Sequence, residues 1–219
     1  MRIHLLTTKN NQVIPFNYQS LLTNALHKWL GYNNFHDEMS FYSFSWLNGG
    51  NVTKEGLNFK DGARFFISAN DPEFIKQILK GIQHDSIIAM GLSVIEVTIQ
   101  ENPKFDGDDV VMLFASPVLV KRRINDKEVH FTYQDDESGI YLTETMKSKL
   151  EKAGLSNEGV SITFDKNYHS PLTKVIYYNK IGNKVSLCPL KISGSPEQKA
   201  FAWNVGVGNS TGIGFGAIK

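Results

Sequence analysis

The sequence predicts an α+β fold of two similar halves, each an antiparallel sheet with helices on one face. Three observations predict it. Short aromatic and β-branched runs alternate with two amphipathic stretches in the first half; the same order recurs after residue 116; and turn-forming residues cluster in "NPKFDGDD" between them. With 41% hydrophobic and 21% charged residues, the chain has enough apolar material for a substantial core.

The elements of the first half follow in order. "RIHLLTT" alternates apolar and polar positions as a half-buried strand does. In "YQSLLTNALHKWLG", Leu21, Leu22, Ala25, Leu26, Trp29 and Leu30 recur at helical spacing until Gly31 ends the run. "FYSFSWL" and "ARFFISA" read as paired strands. At "NDPEFIKQILKGIQ", Asp71 is the expected N-cap, Pro72 occupies the first helical position, and Phe74, Ile75, Ile78, Leu79 and Ile82 share one face. "LSVIEVTIQ" closes the unit as a strand. The succession is β-α-β-β-α-β, the ferredoxin-like arrangement.

In the second half, "SPVLVKRR" is the expected first strand and "LTETMKSKLEKAG" a helix capped by Thr143. "VSITFD" and "KVSLCPLKISG" are strands, "SPEQKAFAWNV" is a helix with Ser195 at its cap, and "GIGFGAI" is the closing strand. The division falls near residues 106–116, which gives an N-terminal domain over 1–110 and a C-terminal domain over 111–219.

Composition bounds the function. The net charge of +1 provides no global field toward nucleic acid, so an anion site must be built locally. The single cysteine, Cys188, excludes an internal disulfide and a multi-cysteine zinc site, and a reducing compartment is expected. No apolar run approaches the roughly 20 residues of a membrane span and the N-terminus lacks an apolar signal core, so the expected location is the cytoplasm, without membrane contact. The stretch "NVGVGNSTGIGFGAIK" carries Gly206, Gly208, Gly212, Gly214 and Gly216. Glycines permit positive φ and close backbone approach, so the stretch is either an anion-binding nest or a turn packed between helix and strand. It lacks a G-K-[ST] ending and the G-x-G-x-x-G spacing, which argues against a nucleotide loop.

The pattern "VGVGNSTGIGFGAI" resembles the C-terminal signature of the CRISPR repeat-cleaving endoribonucleases. These belong to a repeat-associated RNA-binding superfamily of tandem ferredoxin-like domains. "NALHKWLG", "FHDEMSFYSFSWL" and "SPVLVKRR" resemble further stretches of that family in the family's order. The resemblance implies cleavage of precursor CRISPR RNA within each repeat. Cutting proceeds without metal or cofactor, by attack of a ribose 2′-hydroxyl on the adjacent phosphate, and leaves a 2′,3′-cyclic phosphate and a 5′-hydroxyl. Such chemistry needs a base, an acid and charge on the transition state, and histidine serves the first two near neutrality.

The resemblance puts the family's histidine at His36, with His27 on the first helix as a candidate for the second proton transfer. A tyrosine and a lysine found in some members are replaced here by Thr23 and by Met39 or Ser40. Tyr42 and Ser43 are candidate hydrogen-bond donors to the phosphate and Lys28 a candidate charge. The expected RNA-binding residues are Lys28, Lys121, Arg122, Arg123, Gly206, Gly208, Asn209, Ser210, Gly212, Gly214 and Gly216, with Lys174, Lys191 and Lys199 as extensions. Implied partners are CRISPR repeat RNA and other subunits of an effector complex, with the chain a monomer or homodimer. The alternative is a non-catalytic RNA-binding subunit of the same superfamily.

Overall fold

A computed structural model describes residues 1–31, 39–107 and 109–219. The first half runs β1 (Arg2–Thr7), α1 (Gln19–Leu30), β2 (Tyr42–Phe44), a small hairpin of β3 (Asn51–Val52) and β4 (Leu57–Asn58), β5 (Arg64–Ala69), α2 (Pro72–His84), β6 (Ile87–Ala89) and β7 (Leu92–Gln100). Its sheet has the order β2-β5-β1-β7-β6 and every pairing is antiparallel. Apart from the short β6, this is the second–third–first–fourth succession of a ferredoxin-like unit.

Local chemistry sets the helix ends. Asp71 accepts a hydrogen bond from the Glu73 amide at 2.9 Å, ahead of Pro72. Gly31 closes α1 at a φ of 67°. The apolar faces of α1 and α2 meet the sheet in one cluster that includes Ile3, Leu5, Leu26, Trp29, Phe44, Ile67, Ile75 and Ile78.

The second half comprises β8 (Val110–Met112), β9 (Val120–Ile124), β10 (Lys127–Phe131), α3 (Glu137–Lys152), β11 (Ser161–Phe164), β12 (Leu172–Tyr178), β13 (Ile181–Leu187), β14 (Leu190–Ser193), α4 (Pro196–Val205) and a 3₁₀ turn at Thr211–Ile213. β11, β14 and β8 form a sheet. The chain beyond β8 pairs with the C-terminal residues, Leu113 and Lys219 exchanging amide-to-carbonyl bonds of 2.8 Å. A second apolar cluster, with Met112, Leu142, Met146, Leu150, Ile162, Leu190, Phe201 and Ile218, fills this half. The molecule is an α+β protein with antiparallel sheets and, among the described residues, four α-helices, matching tandem ferredoxin-like folds.

Four expectations are corrected. The first strand of the second unit is β8, whereas "SPVLVKRR" crosses the core at Val118, Leu119 and Val120, all fully buried, and then enters the β9–β10 hairpin. α3 begins at Glu137, and Thr143 lies inside it, where its hydroxyl accepts from the Ile162 amide at 2.9 Å and so fastens the helix to β11. "KVSLCPLKISG" breaks at Cys188–Pro189 into β13 and β14, because proline has no amide to continue a ladder. The closing strand is confined to the last residues: Thr211–Ile213 is a 3₁₀ turn, and Ile218 bridges Phe114. Among the described residues no helix is long and apolar enough to cross a membrane.

Candidate functional site

Two adjoining cavities lie where the basic cluster, the glycine-rich loop and the residues before β2 converge. The larger, about 390 Å³, is lined by Met39, Lys121, Arg122, Arg123, Glu144 and Asn209 among others. The smaller, about 230 Å³, is lined by Met39, Ser40, Thr145, Lys149 and the loop from Gly208 to Thr211. Met39, Thr145 and Asn209 belong to both, which makes one continuous groove. Its walls come from both halves of the chain.

The β9–β10 hairpin holds the basic cluster in place. Asn125 and Asp126 both adopt positive φ at its tip, the geometry of a tight two-residue turn. The Lys121 amide donates to Asn209 Oδ1 at 2.9 Å, which joins the cluster to the glycine-rich loop. Lys121 Nζ pairs with Glu128 at 2.8 Å, and that bond, with a lesser one from His130, keeps the Glu128 carboxyl below its usual range. Arg122 donates to the Tyr141 carbonyl at 2.6 Å and to Thr145 Oγ1 at 3.0 Å, and its guanidinium stacks over the Tyr141 ring. Arg123 is 77% exposed beside Asp126, a pair of little strength, and so offers the most accessible charge of the three.

The glycine-rich loop is mostly internal. Amides of Gly206, Val207, Asn209, Ile213, Gly214 and Gly216 all donate to backbone carbonyls. Gly214 has a φ of 91°, and a Cβ there would sit 2.9 Å from the Phe44 ring; Gly216 has a φ of 66°, and a Cβ would strike the Val207 carbonyl. At Gly212 a Cβ would meet Ser40 and the Tyr42 hydroxyl. Turn and packing therefore account for Gly206, Gly208, Gly212, Gly214 and Gly216, a Cβ at Gly208 meeting the Leu119 carbonyl. The amides of Gly208, Ser210 and Thr211, on the cavity wall, make no hydrogen bond to the described residues.

His36 lies outside the described residues; Met39, three positions on, opens the described wall of the groove. Tyr42 and Ser43 are not among the described residues that line it. The Tyr42 hydroxyl donates to the Gly212 carbonyl at 3.3 Å and burial pushes its pKa up to about 12, while Ser43 is fully buried and donates to the Asn204 carbonyl at 3.1 Å. These side chains join the two halves because β2 packs directly on the loop. His27, half-buried on α1, is not among the described residues lining either cavity.

The remaining cations lie elsewhere. Lys28 is tied to Asp85 at 2.8 Å and to the Ile87 carbonyl, bridging α1 to β6. Lys191 pairs with Asp109 at 2.9 Å, Lys199 is buried and donates to the Asp106 carbonyl at 2.6 Å, and Lys174 lies on β12. Lys149, absent from the sequence-based candidates, is the buried cation of the groove. It was legible: Leu142, Met146, Lys149 and Leu150 follow helical spacing, so a lysine occupies an apolar-face position.

The C-terminal domain model of the CRISPR-associated protein Cas6 matches residues 100–219, more than half of the chain. No curated protein matches it in sequence. A solved structure described as CRISPR-associated protein Cas6 is similar over 100% of this chain and 98% of its own, with 24% identity and a TM-score of 0.83. A Cas6-related protein from Pyrococcus furiosus is similar over 100% and 97%, with 22% identity and a TM-score of 0.84. Thermus thermophilus Cse3, bound to an RNA representing a pre-cleavage complex, is similar over 100% and 98% at 10% identity, with a TM-score of 0.53. At these identities the likeness is one of fold. The family match rests on sequence across the half that carries the hairpin, α3 and the glycine-rich loop, and by it the chain belongs to the CRISPR-associated Cas6 family.

Proposed function

We propose that the chain cuts the repeat RNA of precursor CRISPR transcripts without metal, with His36 as the proton-transfer residue. In this reading His36 takes the proton of the ribose 2′-hydroxyl, the 2′-oxygen bonds to phosphorus, and the P–O5′ bond breaks. The departing 5′-oxygen takes a proton from the histidinium or from His27. The products are a 2′,3′-cyclic phosphate and a 5′-hydroxyl. Lys121, Arg122 and Arg123 hold the RNA backbone, while Asn209 and Ser210 form the loop's share of the surface.

One observation carries the reading. A single groove joins Met39 and Ser40, which precede β2, to the basic hairpin and the half-exposed tip of the glycine-rich loop. The family match and the RNA-bound state of the Thermus thermophilus neighbour agree with it.

A second reading, binding without cutting, draws on the inward-facing Tyr42 and Ser43. It also draws on the structural likeness, at 20% identity and a TM-score of 0.79, to a RAMP protein described as binding different RNA substrates. Incubation of a labelled repeat with EDTA, comparing wild type with His36→Ala, separates the readings. Cyclic-phosphate ends that vanish in the variant support the first. Tight binding with no cutting by the wild type supports the second.

A further inference from the structure

Lys149 presents an unusual electrostatic arrangement. Only 3% of its surface is exposed, and its ammonium is held by neutral oxygens alone: Thr211 Oγ1 at 3.1 Å, the Val205 carbonyl at 3.4 Å and the Gly206 carbonyl at 3.5 Å. No carboxylate of the described residues pairs with it. Glu144, on the same helix, is directed to Arg122. A buried charge with neutral partners at such lengths is poorly compensated, and burial pushes its pKa down to about 7. Apolar helix-face positions ordinarily exclude lysine, and an anion entering beside Lys149 would supply the compensating charge that its neutral partners do not.

That compensation has room to enter. Lys149 lines the smaller cavity together with Gly208, Ser210 and Thr211, whose amides make no hydrogen bond to the described residues. A buried ammonium beside unpaired backbone N–H groups of residues lining the same cavity is the kind of donor set that a tetrahedral oxyanion takes. Among the described residues, the rest of the lining, Met39, Ser40, Thr145 and Asn209, carries no charge. We infer that Lys149 and the Gly208–Thr211 loop form a phosphate-binding site, and that an RNA backbone phosphate is its natural occupant. The occupant's identity rests on the RNA reading above, whereas the anion site does not.

Two measurements test this. Inorganic phosphate, titrated at constant ionic strength with chloride as the reference, is expected to raise the melting temperature of the wild type and to leave Lys149→Met unchanged. Repeat RNA is expected to bind the variant about tenfold more weakly, the loss of one charged hydrogen-bonded contact. The slope of log affinity against log salt is expected to flatten by about 0.7, one single-strand phosphate contact. Equal phosphate stabilisation of wild type and variant overturns the site, whatever the RNA result. A wild type that gains stability from phosphate but binds no repeat RNA keeps the site and overturns the RNA reading. Stabilisation of wild type and variant alike by any sodium salt identifies bulk ionic strength as the cause and overturns the site as well.

Discussion

Replacing Lys149 by methionine is expected to stabilise the free protein near neutral pH, and the gain is expected to disappear in alkali. The pKa falls from 10.5 in the unfolded chain to about 7 in the fold because of burial. Between those values the unfolded chain holds a proton on Lys149 that the folded chain lacks, so the contribution of Lys149 to stability rises with pH across that window and is least favourable below about pH 7. A drop of this size corresponds to about 5 kcal/mol of penalty on the charged form. Methionine removes that penalty but forfeits the bond to Thr211 Oγ1 and the two longer carbonyl contacts, each worth about 1 kcal/mol. Among the described residues the neighbours do not reverse the sign: Arg122, from β9, is already paired with Glu144, and the loop contributes only neutral Asn209, Ser210 and Thr211. The expected difference is about 1–3 kcal/mol in favour of Lys149→Met at pH 7, falling by about 3 kcal/mol by pH 10. Urea titrations of both proteins at pH 7, 8.5 and 10 measure it. A variant less stable at pH 7, or a difference that does not change with pH, would refute the reasoning.

Two other substitutions probe the loop and its joint. Gly216→Ala is expected to lose several times the stability lost by Gly154→Ala in thermal melts. Both glycines have positive φ, 66° and 73°, but a Cβ meets the Val207 carbonyl at the first and open space at the second, where about 1 kcal/mol of backbone strain is expected. Tyr42→Phe is expected to keep repeat cleavage within about threefold and to cost about 1 kcal/mol in stability, because the hydroxyl is buried and bonded to the Gly212 carbonyl; lost cleavage in a stably folded variant would return Tyr42 to the reacting groups.

The first unit was legible because its punctuation is strong. Asp71–Pro72 and Gly31 are unambiguous helix signals, β1 and β7 carry alternating apolar positions, and β5 is a continuous aromatic and apolar run. The second unit misled where sequence signals and tertiary roles diverge. α3 begins with a turn whose Ile140 is exposed and whose Gly139 packs close to Thr163, so the apolar periodicity starts only at Leu142 and pulled the expected cap to Thr143. β12 and β13 meet at Asn179 and Lys180, both at positive φ; with lysine where glycine is favoured, the turn signal was reduced to Asn179 alone. At the site, the groove's Lys121, Arg122 and Arg123 were visible as a charge cluster, but no pattern along the chain shows that Lys28 and Lys191 are neutralised by Asp85 and Asp109. Ion pairs between distant elements are facts of three dimensions.

The glycine-rich run builds a rigid loop out of the most flexible residue type. Arg2 is stacked between the rings of Phe66 and Trp203, 3.7 and 3.4 Å from their centroids. Its guanidinium donates to the carbonyls of Trp203 and Ile218, one on each side of the loop. Ser43 holds Asn204 and Tyr42 holds Gly212, so the first half grips the loop along its length. Within that grip the backbone of 206–207 lies against 216 too closely for any side chain, which is the role of the glycines. What remains half-exposed is the tip, Asn209 and Ser210, fixed to the basic hairpin through the Lys121 amide and set beside Lys149. Freedom in the unfolded chain thus becomes fixed geometry in the fold. The surface that faces the groove is positioned by contacts from both halves, so neither half alone carries a complete site.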